Sequence, residues 1–325
     1  MERRSFLRLG FVGLLAAPRV ARAQSLARHA RIGFLNNTNA ELAAPSTEAF
    51  IQGLRELGWI EGKNLTIEYR WADGNMDRHS ALACELVKAH VDVIVTAGPA
   101  AVRAARDATK TIPIVATIMP DPVAFGFAAS LARPGGNVTG LTNLFEELTP
   151  KQLQLFKEAI PRAKRIALLN NRDMGDSVVS ATEKAARTLG LAADVLNIND
   201  VDNLDVAMST ARRKRADGVI VLPSPVFNRY RVRIAELAAK YALPTFNESK
   251  EYVRDGGFLS YGPSFPQMYY RAASYVDRIL KGDKPGDLPI ERPTKFELAI
   301  NLKTAHSVGI IVPPPLLQRA DEVIQ

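Results

Sequence analysis

Apolar residues fall in short unbroken runs, separated by longer stretches in which they recur every three or four positions, and this rhythm appears twice along the chain. Residues 31–37, RIGFLNN, are apolar until two asparagines close the run, which predicts a buried strand. STEAFIQGLRELG then reads as an amphipathic helix with Ser46 or Thr47 as N-cap and Gly58 just past its end, and NLTIEYRW as the next strand. Residues 165–171, RIALLNN, start the same order again. DSVVSATEKAARTLG is the helix, capped by Asp176 or Ser177 and closed by Gly190, and AADVLNIN is the following strand. The match continues with a helix over 77–89 leading to VDVIVTAG against one over 201–215 leading to ADGVIVLPS. It then pairs a helix starting near Pro99 before TIPIVAT with one starting near Phe227 before ALPTFN.

Strands that are apolar throughout and alternate with helices are the pattern of a parallel sheet covered on both faces. The predicted fold is therefore α/β, two doubly wound parallel-sheet lobes, since 325 residues exceed what one core usually organises. A duplication inside one large sheet is the competing arrangement. Three stretches rich in Gly and Pro, RPGGNVTGLTN at 133–143, GGFLSYGPSF and KPGDLPIERP, read as crossings between lobes. The expected division is 30–139 plus 252–282 for the N-terminal lobe and 140–251 plus 283–325 for the C-terminal lobe. Three crossover strands would hinge the lobes and permit rigid-body closing.

Residues 1–23 have a charged start, an apolar run from 9 to 17 and Ala21-Arg22-Ala23 at their end, which reads as an export signal. Arg3-Arg4 followed by Phe6 and Leu7 resembles a twin-arginine signal, with an ordinary secretory signal as the alternative. The apolar run falls short of the roughly 20 residues that span a bilayer. These 23 residues hold five arginines and one glutamate, so the formal charge of +8 becomes 8 − 4 = +4 without them. That excess, with no basic run longer than the four residues 212–215, argues against nucleic acid as a partner. Cys84 is the only cysteine, so no internal disulfide can form, and its place in ALACELV reads as a buried thiol. No cysteine follows the signal, so a lipid anchor is not expected, and the periplasm is the expected location.

Ligands of open α/β sheets bind beyond the carboxyl ends of the strands. In the first lobe those ends offer Asn36, Asn37 and Thr38, then Thr96, Gly98, Pro99 and Ala100, then Asp121; in the second, Asn170 and Asn171, then Ser224, then Asn247 and Glu248. The crossings add Asn143 and Tyr261. With the lobes face to face, these residues would line one cleft rich in amides and hydroxyls. Pro99 suits a first helical turn and Gly98 a close backbone approach, so TAGPAAVRAA would suit an anion, although a plain β-to-α turn uses the same residues. Asp121, between two prolines, would either accept an ammonium group or close an ordinary turn. Glu248 would either face the ligand or pair with Lys250 at the surface. The four histidines, His29, His79, His90 and His306, lack metal or nucleophile-base spacing and read as surface or cap residues. No phosphate-cradling glycine motif follows a strand, so no cofactor is expected.

The stretches GLRELGWIEGKNLTIEYRWADGNMDR, VDVIVTAGPAA, DPVAFGFAASLARPGGNVTGLT, LSYGPS and PTKFELAINLKTAHSVGIIVPPPLLQRADEVI resemble the substrate-binding proteins of ABC-type transporters, in the subgroup of tryptophan- and tyrosine-binding receptors. The resemblance covers essentially the whole chain after the signal. It implies a type I periplasmic-binding-protein fold, a monomer without enzymatic activity that closes on a small solute, and an ABC permease in the inner membrane as partner. Two cleft-facing turns depart from the family pattern: Asn36-Asn37-Thr38 replaces a Ser-Pro-Gly type turn, and Ala97-Gly98-Pro99-Ala100 replaces Gly-Thr-Pro-Ala. Asn170 fits that pattern. The solute of the aromatic amino-acid receptors therefore does not carry over, and the first wall is where a different preference is expected. An exported α/β hydrolase using Asp121 or Glu248 as general base, or a ligand-sensing subunit of a signalling receptor, are the alternatives.

Overall fold

The computed structural model describes residues 29–143, 145–171, 177–198 and 200–325. The expected export signal and the cap at Asp176 lie outside the described residues. The first sheet comprises β1 (Ala30–Asn36), β2 (Leu65–Trp71), β3 (Val93–Ala97), β4 (Ile114–Met119) and β5 (Val138–Thr142), all parallel, in the order β2-β1-β3-β4-β5. Helices α1 (Ala40–Glu56), α2 (Arg78–Lys88) and α3 (Pro99–Ala108) connect them. The chain then crosses to α4 (Phe145–Ala159), β6 (Arg165–Asn170), α5 (Ser177–Thr188), β7 (Ala192–Asn197), α6 (Leu204–Arg213) and β8 (Gly218–Val221). It continues through α7 (Pro225–Arg229), α8 (Arg231–Lys240), β9 (Thr245–Asn247), α9 (Lys250–Arg254) and β10 (Leu259–Pro263). From there α10 (Phe265–Leu280) returns to the first lobe, and β11 (Phe296–Asn301), α11 (Leu302–Ser307), α12 (Pro314–Leu317) and β12 (Glu322–Ile324) complete the second sheet. Its order is β12-β11-β10-β9-β8-β6-β7.

The two copies of the opening phrase do the same physical work. Successive residues of a strand point to opposite faces, so Phe34 packs with Phe50 of α1 and Tyr269 of α10, while the adjacent Leu35 packs with Leu86 of α2 and Val102 of α3. In β6, Leu168 joins Phe156 of α4 and Leu169 joins Met208 of α6. Each sheet thereby has apolar clusters on both faces, which explains why its strands are apolar throughout rather than alternating.

The expected lobe boundaries shift. Leu259–Pro263, placed in the N-terminal segment 252–282 by the sequence, pairs with β9 on one side and β11 on the other in the second sheet. Residues 283–291, assigned to the C-terminal lobe, pack on the first: Leu288 and Ile290 are buried in its clusters, and Thr139 Oγ1 donates to Leu288 O at 2.7 Å. The chain leaves β10 at its carboxyl end, visits the first lobe as α10 and re-enters from that same end, so β11 must run antiparallel to β10.

Three further readings are corrected. Helix α1 starts at Ala40 rather than near Ser46, because Asn39 Oδ1 caps it by accepting from Leu42 N at 2.9 Å. Pro45 lies inside on the exposed side, where water can serve the carbonyl that loses its partner. Cys84 is exposed, since α2 buries Leu82, Ala83 and Leu86 and turns position 84 outward. His79 is buried at 2% exposure, whereas His29, His90 and His306 are exposed.

Gly140 in β5 has φ +130°, and a Cβ there would lie 2.0 Å from Ala116 O of β4. Neither backbone can yield without breaking the pairing that leads into the first crossing. Gly140→Ala should lose about 3 kcal/mol or more, a melting-temperature drop of roughly 6 °C or more. Gly136→Ala, with nothing within 4 Å of the added carbon, should leave the calorimetric transition unchanged.

Candidate solute-binding cleft

In both sheets the strand order reverses beside the first strand of the lobe, between β1 and β3 and between β6 and β8. Connections leave such a point toward opposite faces and open a crevice at the carboxyl ends. The two crevices face each other and bound a partly open cavity of about 160 Å³, comparable to the roughly 150 Å³ that accommodates a benzene ring. Asn36, Asn37, Thr38, Gly98 and Pro99 line it from the first lobe, Ser224, Asn247 and Glu248 from the second, and Asn143 from the first crossing.

The first wall is a self-contained hydrogen-bond network. Asn36 Oδ1 accepts from Thr38 N at 3.0 Å and from Thr38 Oγ1 at 3.1 Å, and its Nδ2 donates to Tyr269 Oη at 3.3 Å. Asn37 Nδ2 donates to Ala97 O at 2.7 Å, tying the end of β1 to the end of β3. That contact passes so close to Gly98, at φ +81°, that a Cβ there would lie 2.9 Å from the Asn37 amide nitrogen. Asn37 Oδ1 in turn lies 2.6 Å from His79 Nε2, while His79 Nδ1 lies 2.8 Å from Met76 O. Both imidazole nitrogens thus face acceptors, which favours the doubly protonated ring. Burial opposes this and holds the His79 pKa below its ordinary value, with the Met76 carbonyl acting the other way.

The second wall is less complete. Ser224 Oγ caps α7 by accepting from Val226 N at 3.2 Å, and Asn247 donates to Val221 O at 3.0 Å and accepts from Ser249 N at 2.9 Å. Lys250 pairs with Glu297 at 2.9 Å instead of Glu248. Glu248 lines the cavity and is only partly buried, but its Oε2 is buried and lacks a hydrogen-bond partner. Burial raises its pKa to about 8. Asn143 Oδ1, on the same cavity, is also buried without a partner, whereas the Tyr252 hydroxyl has Thr245 beside it.

Six expected residues lie outside this lining. Thr96 and Ala100 sit behind Ala97 and Pro99. Asp121 is exposed, and its Oδ1 accepts from Val123 N at 2.9 Å and Ala124 N at 3.1 Å, the ordinary turn. Asn170 donates to Asn197 Oδ1 of β7 at 2.8 Å, and Asn171 is buried beside it. Tyr261 stacks on Phe296 with ring centroids 5.9 Å apart. Sequence reasoning missed the aromatic walls, Phe145, Phe227, Tyr252, Phe265 and Tyr269. Their signal is position: each lies on a helix that begins within a few residues of a strand end or crossing.

At the rim, Arg229 of α7 pairs with Asp73, in the loop after β2, at 3.0 Å, and its Cδ packs where a side chain on Gly74 would begin. This ion pair joins the two lobes. Among the described residues no group of three or more His, Cys, Asp or Glu is placed to hold a metal ion, and no helix is long and apolar enough to cross a membrane.

Residues 42–324 match the family of ABC transporter substrate binding proteins. The chain belongs to this family. A tyrosine-binding protein of Clostridioides difficile (strain R20291) is 26% identical over 271 residues, covering 81% of this chain and 76% of the relative. Among solved structures, a conserved domain protein from Vibrio cholerae is 27% identical with a TM-score of 0.85, and a Streptococcus pneumonia ABC domain in complex with L-Trp is 23% identical with a TM-score of 0.85. Each alignment covers 91% of this chain and 100% of the other. The two-lobed periplasmic-binding-protein fold of type I is thus shared along nearly the whole substrate-binding protein.

His79 gives the first wall a pH signature. With its folded pKa below its ordinary 6.5, the unfolded chain takes up the proton first as pH falls, so stability should decline from about pH 6.5 downward and level off once the folded ring is also charged. Melting curves of the wild type against His79→Gln should diverge in that window. A wild type that instead gains stability there would mean that the two acceptors outweigh burial.

Proposed function

We propose that the protein is the solute receptor of an ABC importer. Its first 23 residues direct export to the periplasm, and the mature chain acts as a monomer. It closes on an amino acid or related small organic acid and presents the closed form to a permease in the inner membrane. The observation that carries this reading is the cavity itself, which draws polar strand ends from both lobes and aromatic side chains from their helices. Such a cavity suits a small molecule with an apolar or ring-bearing body and a few polar groups. The tyrosine-binding and L-Trp-bound relatives support the same class of solute. Ligand affinity that differs between open and closed forms is all the mechanism requires; the bound molecule shifts the population toward closure.

Glu248, with its raised pKa in a cleft, is the feature that would suit a hydrolase. A thermal-shift series on residues 24–325 with L-tryptophan, L-tyrosine, other amino acids and their deaminated analogues separates the two readings. A true solute present at 100 times its Kd should add about 2.7 kcal/mol, seen as a rise of roughly 5 °C or more, and be recovered unchanged. Chemical conversion of the compound would overturn the receptor reading, and no shift with any of them would overturn the solute class. The Asp73–Arg229 pair belongs to the closed form alone in this scheme. Both side chains are substantially exposed, so Arg229→Ala should weaken binding only about 2- to 5-fold, with little change in melting temperature without ligand.

A further inference from the structure

Two side chains on the cavity wall end in buried polar atoms that no protein group meets: Asn143 Oδ1 and Glu248 Oε2. Buried polar atoms are almost always hydrogen-bonded, so orphans gathered on one cavity mark where a ligand's own groups belong. One of the two leaves the ligand's chemistry open, since the Asn143 amide offers either its oxygen or its NH2 after a half-turn. Glu248 is more selective, because an ionised carboxylate only accepts and needs a positive charge beside it.

The surroundings supply none. Lys250 is turned to Glu297, Glu251 accepts from Ser249 Oγ at 2.6 Å, and burial alone sets the ionisation of Glu248. The position is also fixed: a side chain on Gly262 of β10 would begin 2.1 Å from Glu248 O and 3.1 Å from its Cβ, so the β10 backbone lies directly against residue 248.

We propose that Glu248 is the cation-recognising group of the cavity, and that the solute carries a protonated nitrogen bound to its carboxylate, with the Asn143 amide completing that end of the ligand. The proposal rests on the reading of the cavity as a solute site and narrows it from amino acids or organic acids to solutes bearing an amine. An incoming ammonium restores the charge partner that the fold withholds, and Glu248 gives up its proton as the solute binds. A purely anionic solute would meet either a like charge or a carboxyl group that must keep its proton.

Matched pairs of probes test this: L-tryptophan with indole-3-propionate, L-tyrosine with 3-(4-hydroxyphenyl)propionate, and L-leucine with 4-methylpentanoate, titrated calorimetrically into residues 24–325 and into the Glu248→Gln variant. The expected result is at least tenfold tighter binding of the amine in any pair that binds, lost in the variant, whose melting temperature without ligand serves as the control for folding. Affinity for the amine should also rise with pH toward 8 by up to tenfold per unit, the slope of one proton released, and be flat for the variant. The other titratable groups near the site leave the interval from 6.5 to 8 clear: burial raises Tyr252 and Tyr269 above their ordinary 10, and lowers His79, which touches the opposite wall through Asn37, below 6.5. Equal or tighter binding of the deaminated member, unchanged by Glu248→Gln, would overturn the inference while leaving the receptor reading intact. Binding by no member of any pair would overturn both.

Discussion

Leu141 and Glu291 bridge where the first and third crossings run side by side, with Thr142 N donating to Glu291 O and Glu291 N donating to Gly140 O, each at 2.9 Å. The facing of the two sheets follows from this pairing. The first crossing leaves β5 at its carboxyl end, the second leaves β10 at its carboxyl end, and the third enters β11 next to that point, where Ser264 N reaches Lys295 O at 3.4 Å. Because every passage between lobes starts or finishes at the carboxyl edge of a sheet, those edges are held toward one another, and the loops that parallel sheets use for binding share one space. Bidentate contacts from Arg271 of α10 to Glu291, at 2.8 and 2.6 Å, fasten the third crossing to the first lobe up to that residue. Among the described residues, Asn143, Ser264 and residues 292–295 are the short stretches that remain to absorb a rotation.

The two walls divide the polar groups unequally. Asn36 and Asn37 spend their amides on Thr38, Tyr269, Ala97 and His79, so the first wall is shaped and stiffened by groups that already have partners. The second wall and the first crossing hold the atoms that lack them. Leaving a buried polar atom unsatisfied costs about 1–3 kcal/mol, and such a cost persists in a fold where a ligand removes it. In the proposed reading, the first lobe gives the cavity its shape and the second reads charge.

Much of this was legible in the sequence, for a physical reason. Parallel strands buried on both faces must be apolar throughout, so RIGFLNN and RIALLNN announced themselves, as did the Gly- and Pro-rich crossings. Strand ends were legible too, and eight of the residues chosen by that rule line the cavity, with Asn143 added from the first crossing. What failed were questions of partnership. Asp121 closing its own turn, Asn170 bonding across to Asn197, and Tyr261 lying on Phe296 depend on neighbours that a linear reading does not supply. Lys250 next to Glu248 suggested a surface pair, and only the sheet places Glu297 of β11 where it captures that lysine. Nor could a linear reading show that Asn37, at the first wall, is held by a buried histidine 42 residues away.

Asn143 is both a cavity residue and the residue that immediately follows β5 in the first crossing. In the proposed reading, a point close to the crossings moves little when the lobes rotate, whereas Ser46 on α1 and Pro225 on α7, on opposite lobes, part as the lobes open. On that reading, a solute held at Asn143 therefore keeps one contact throughout the cycle. Contacts near the axis govern capture, and those at the rim govern residence time, so substitutions at the two places should appear in different rate constants even where they change affinity equally.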